Sequence, residues 1–62
     1  TSSDAKLLIW LELAQFISEK ANNNKTLKTI FVNEFPGKKA LDLTLSELRE
    51  INAKFISVEY AQ

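Results

Sequence analysis

The sequence predicts an all-α fold, a small three-helix domain that forms a homodimer, and three observations support this prediction. One glycine and one proline in 62 residues are too few for the many tight turns of an all-β domain. Apolar residues recur at three-four spacing, as in amphipathic helices, in three segments. Hydrophobic residues make up 45% and charged residues 26%, a balance typical of folded domains. Residues 1–62 are therefore predicted to form one helical domain.

The first helix is predicted near residues 4–21, with Ser2, Ser3 or Asp4 as its N-cap. Its side chains form two overlapping stripes, one at positions 9, 13, 16, 17 and 20 and the other at positions 7, 10, 14, 17 and 21. A helix that is apolar around most of its circumference is normally buried by neighbours on more than one side. Two further short helices can hardly cover it, so we expect surplus apolar surface.

The second helix is predicted near residues 26–35, after the asparagines 22–24 and before Pro36-Gly37. Thr26 is its expected N-cap, and its apolar residues have the spacing i, i+4, i+8: Leu27, Phe31 and Phe35. The strand-forming residues 29–32 leave an alternative open. In that αββα fold, residues 27–32 and 40–45 form a hairpin over two helices.

The third helix is predicted near residues 45–60, after a short extended or single-turn connector at residues 40–43. Thr44 and Glu47 have the spacing of a capping box, in which each side chain accepts a hydrogen bond from the other residue's backbone N–H. One face carries apolar residues at three-four spacing: Leu48, Ile51, Phe55 and Val58.

The segment LDLTLSELREINAKF, residues 41–55, loosely resembles part of the small helical domains of the helix-turn-helix and SAM types. In those domains a Thr or Ser caps a helix that contains a Glu-Leu pair. The segment lacks the glycines that those domains place between helices, and Thr-x-x-Glu is a general capping signal. No family is assigned on this basis.

The residues that most often carry catalysis and metal binding are missing, because the chain has neither cysteine nor histidine. Glu47 and Glu50 could form a carboxylate pair, but Glu47 belongs to the cap and Glu50 is expected to pair with Lys54. Phosphate-binding loops need several glycines. We therefore predict no enzymatic activity, no metal and no cofactor.

The charges are unevenly distributed although the formal net charge is zero. Residues 25–39 contain four lysines and one acidic residue, Glu34; the lysines are Lys25, Lys28, Lys38 and Lys39. Such a cluster is typical of a phosphate-contacting surface. The alternative function is therefore a small DNA-binding domain that uses this segment, although a single arginine and zero net charge make it the less favoured one.

The preferred function is a protein-protein interaction or dimerisation module that uses the apolar first helix. The candidate interface residues are Leu7, Trp10, Leu11 and Phe16. Trp10 is also a candidate for the core, which is the more common place for a lone tryptophan on such a helix. A protein partner or a second copy is expected to cover this surface.

The longest uninterrupted apolar run, residues 7–11, is far shorter than the roughly 20 residues of a membrane-spanning helix. The sequence starts without Met, a basic leader or a cleavage site, so we expect a processed product or a part of a longer protein. An intracellular location is the default expectation.

Overall fold

The computed structural model describes the backbone of residues 2–61 and the side chains of residues 5–61. It contains helix α1 (Ser2–Asn23), helix α2 (Lys25–Glu34), a 3₁₀ turn (Ala40–Asp42) and helix α3 (Leu45–Ala61). The predicted all-α, three-helix architecture is confirmed. The αββα alternative is wrong, because residues 2–61 contain no strand and residues 29–32 lie inside α2.

Helix α1 is longer than predicted at both ends, since it begins at Ser2 and ends at Asn23. The three candidate N-caps, residues 2–4, already belong to the helix, and their side chains lie outside the described part of the chain. The asparagine run does end the helix, but no non-glycine residue has a positive φ in the described part. Asn24 instead adopts an extended conformation, with φ −138° and ψ 112°.

Helix α2 begins with a cap from Asn24 and not from Thr26, so the prediction of a Thr26 cap is wrong. The Asn24 Oδ1 accepts hydrogen bonds from the backbone N–H groups of Thr26 (3.0 Å) and Leu27 (3.3 Å). Asparagine is among the best N-caps because its short side chain reaches these amides from an extended backbone. The cap lets α2 begin one residue after α1 ends.

The connection from α2 to α3 contains a tight turn and the 3₁₀ turn. The Lys38 N–H donates to the Phe35 carbonyl at 3.2 Å, and Gly37 has φ +75°. Proline followed by a glycine of positive φ is typical of a type II turn. In the 3₁₀ turn, an Asp42 carboxylate oxygen accepts the Lys39 N–H at 2.9 Å. The single-turn form of the predicted connector is therefore correct.

The predicted capping box at the start of α3 is confirmed. The Glu47 Oε1 accepts the Thr44 N–H at 2.9 Å, and the Thr44 Oγ1 accepts the Glu47 N–H at 3.2 Å. Both donors would otherwise lack a partner within the helix. The box fixes where α3 begins.

Among residues 5–61, nine buried residues form the core, and every element contributes to it. They are Ala14 and Ile17 from α1, Leu27 and Phe31 from α2, Ala40 and Leu43 from the connector, and Leu48, Ile51 and Phe55 from α3. Phe35 and Val58, both predicted to face the core, are half-buried against it. The stripe of α1 that contains Ala14 and Ile17 is therefore the one that faces the core.

Two contacts show that α1 and α3 run side by side in the same direction. The indole N–H of Trp10 donates to the Leu43 carbonyl at 2.7 Å, just before α3 begins. Lys20, nearly three turns later on α1, pairs with Glu59 near the end of α3 at 2.5 Å. A second ion pair joins Lys54 of α3 to Glu34 of α2, so Lys54 pairs between helices and not with Glu50 as predicted.

Thr44→Ala should lower the free energy of unfolding by about 0.5–2 kcal/mol, because it leaves the Glu47 N–H without a partner. Glu47→Ala should cause a smaller loss, and the double variant should lose less than the sum, since both residues support one reciprocal box. Chemical denaturation measures all three. Ser46→Ala, an exposed hydroxyl one residue inside the helix, is the control and should change stability by less than about 0.5 kcal/mol. Strictly additive losses would contradict this account of the box.

Candidate functional site

The N-terminal end of α1 projects beyond the core. Every described residue from Ala5 to Ile9 is exposed, and the first fully buried residue of the helix is Ala14. Leu7 is 59% exposed, Leu8 60% and Ile9 51%. Successive residues of an α-helix lie 100° apart, so these three side chains point to three different sides. These three apolar side chains therefore span about 200° of the projecting end, and the exposed Lys6 lies in the remaining arc.

Trp10 marks the point at which α1 meets the rest of the domain. Its ring is half-buried against the core, and its N–H is bonded to the Leu43 carbonyl. Trp10 therefore packs against the core within a single copy of the chain, as one of its two predicted roles requires. Leu11, the next residue, is half-buried. Ile9 and Leu11 flank Trp10 on its two sides around the helix. Leu11 connects the projecting end with the body of the domain.

The four candidate interface residues do not share one face of α1. Leu7 and Leu11 are four residues apart and lie on one side together with Leu8, and we call these three residues the leucine edge. Phe16 is nine residues from Leu7, which places it about 180° around the helix. It is 44% exposed, and the Lys20 ammonium lies 4.9 Å from its ring centroid. Phe16 therefore lies opposite Leu7 but only about 80° around the helix from Leu8, so a partner centred on Leu7 and Leu11 does not cover it.

The basic segment has a more compact arrangement than its sequence suggests. Lys28 of α2 and the loop residues Lys38 and Lys39 line one cleft against the C-terminal half of α1. Lys25, one turn before Lys28, lines a neighbouring cleft instead. Three of the four candidate nucleic-acid contacts are thus brought together around one concave surface.

Sequence reasoning missed several residues that belong to these surfaces. Leu8 and Ile9 were not among the interface candidates, although both are exposed and belong to the apolar run at residues 7–11 of the sequence. Ser18 and Asn22, four residues apart on α1, line the lysine cleft. Their i, i+4 spacing places them on one face, but the sequence contains no signal that this face meets the loop after α2.

Comparison with known proteins adds no assignment, because no family model, no curated protein and no solved structure matches the chain. Among residues 5–61 no three potential ligands of the Asp, Glu, His or Cys type cluster closely enough to hold a metal ion. The helices in the described part of the chain are also too short or too polar to cross a membrane.

Trp10→Phe should lower the free energy of unfolding by about 1–3 kcal/mol, because it keeps most of the ring packing and leaves the Leu43 carbonyl without its donor. Denaturation at several protein concentrations measures the difference from the original chain. This difference should be the same at every concentration, since the bond lies within one copy of the chain. A difference that grows with concentration would instead place Trp10 in an interface between copies.

Proposed function

We propose that this chain is a non-enzymatic association module that forms a homodimer through the projecting end of α1. The observation that carries the proposal is the exposure of Leu7, Leu8 and Ile9, each more than half accessible on three sides of one helix. Single exposed apolar residues are common on protein surfaces. Three consecutive ones at the end of a helix that extends beyond its own core are a typical signal for association.

The energetic argument concerns the small size of the domain. In the part of the chain whose side chains are described, nine residues form the buried core, and the sequence has no cysteine for a disulfide. A domain of about 60 residues buries only about 60% of the surface of its unfolded chain, so its stability is marginal. Full burial of one leucine contributes about 1.5–3 kcal/mol. Covering the leucine edge would therefore add stability that is large compared with what so small a core provides.

A second copy of the chain is the partner that we favour. An end that is apolar over about half of its circumference needs contacts on more than one side, and pairing two such ends buries both leucine edges at once in a self-complementary contact. The formal net charge of zero means that two copies do not repel each other at long range. The flanking charges, Lys6 and Glu12, have opposite signs and remain exposed, as is typical of the polar rim of an interface.

The double variant L7S/L8S should shift the dimer toward monomer by at least about tenfold in dissociation constant, because each serine removes apolar area that only a partner can bury. Sedimentation equilibrium over a series of concentrations measures the shift. The melting temperature of the monomer, taken at the lowest concentration, should remain nearly unchanged, since both side chains are already exposed within one copy.

Two matched variants locate the contact. Val32→Ser changes a side chain on α2 that is 51% exposed and should leave the association constant unchanged. Phe16→Ser tests the opposite side of α1 and should have a smaller effect than the leucine variant. The proposal is wrong if the original chain is monomeric at every concentration, or if Phe16→Ser abolishes association while L7S/L8S does not affect it.

A further inference from the structure

The cleft between the C-terminal half of α1 and the loop after α2 has a volume of about 360 Å³. Three lysines line it, Lys28 from α2 and Lys38 and Lys39 from the loop, together with the polar side chains of Ser18 and Asn22 from α1. The remaining wall is apolar. Ligand sites of small molecules begin at about 300 Å³, so the cleft has room for one small molecule.

The nearest acidic residue to line a cleft beside this one is Glu19, in the adjoining cleft that Lys39 also lines. None of the residues that line the lysine cleft itself is acidic, and the ion pairs described within residues 5–61 use Lys20 and Lys54. Asp42, which is close in sequence, does not line the cleft, and its carboxylate accepts the backbone N–H of Lys39. Three like charges around one concavity repel each other, and an anion bound among them would remove that repulsion.

We infer that the cleft binds the phosphate group of a small phosphorylated molecule. Lysine binds phosphate as a point charge, and the cleft contains three lysines. Without an arginine the cleft offers no bidentate contact, so the attraction depends on the summed charge of the three lysines. The hydroxyl of Ser18 and the amide of Asn22 can donate further hydrogen bonds to phosphate oxygens. The exposed side chain of Val32 can contact the rest of such a molecule.

The same phosphate chemistry is found along nucleic acids, but the arrangement favours a small ligand. Three lysines converge on one cleft, whereas a nucleic-acid strand needs a row of contacts that follows its backbone. The adjoining cleft beyond Lys39 is lined by Glu19, whose negative charge would repel the next phosphate. Phe31, the aromatic residue of the cleft, is only 7% exposed and offers no surface on which a base could stack.

The test is calorimetric titration of the folded chain at low salt with two probes, pyrophosphate and a single-stranded oligonucleotide. Pyrophosphate should bind, and Lys28→Gln, Lys38→Gln and Lys39→Gln should each weaken it by about tenfold, because each removes a charged hydrogen-bond donor. Lys25→Gln, which removes the same charge one turn away and outside this cleft, is the matched control and should leave the affinity unchanged. Circular dichroism melting checks that each variant remains folded.

Four results would overturn the inference. Pyrophosphate could fail to bind, or it could bind equally well to all four variants, which would indicate a diffuse attraction. If Lys25→Gln reduced the affinity for pyrophosphate as much as the three cleft variants do, the binding would belong to a general basic surface and not to the cleft. Tight oligonucleotide binding that falls steeply with salt and is weakened by all four variants would instead assign the surface to nucleic acid.

Discussion

The hydrogen bond from the Trp10 indole to the Leu43 carbonyl, together with the packing of the core, positions the connector and α3 against α1. It joins residues 33 positions apart at 2.7 Å, between the middle of α1 and the residue at which the connector turns into α3. Leu43 is itself buried. Folding removes its carbonyl from water, and without the indole N–H this carbonyl would have no hydrogen-bond partner. The bond therefore holds the start of α3 at the level of Trp10.

The leucine edge and the lysine-lined cleft both depend on where α3 begins relative to α1. Because α3 begins beside Trp10 and runs parallel to α1, nothing in the described chain packs along the first turns of α1, and Leu7 and Leu8 stay exposed. The same bond holds the connector against α1, with Ala40 in the core. Lys38 and Lys39 precede Ala40 directly and are thereby placed beside Ser18 and Asn22. This hydrogen bond and the packing of Ala40 in the core together account for the exposed apolar end and for the position of the lysines.

Local signals in the sequence predicted local structure, while packing between distant segments could not be predicted from them. The Thr44 and Glu47 pair predicted its capping box because both partners lie within four residues, and the spacing of Leu48, Ile51 and Phe55 predicted the buried face of α3. The wide apolar arc of α1 fits more than one buried face, so its periodicity could not decide which stripe meets the core. Likewise, the convergence of the lysines requires knowing how the connector packs on α1.

The two surfaces lie along the same side of α1, and this restricts how a partner copy can dock. Ser18 follows Leu11 by seven residues, about two turns or about 10 Å, at nearly the same angle around the helix. A partner that covers residues up to Leu11 leaves the cleft open. A partner that extends along α1 to Ser18 would bury lysine charge, and the desolvation penalty for such a charge amounts to several kcal/mol. Contact through the leucine edge is therefore favourable only from the projecting end up to Leu11, before the helix reaches Ser18.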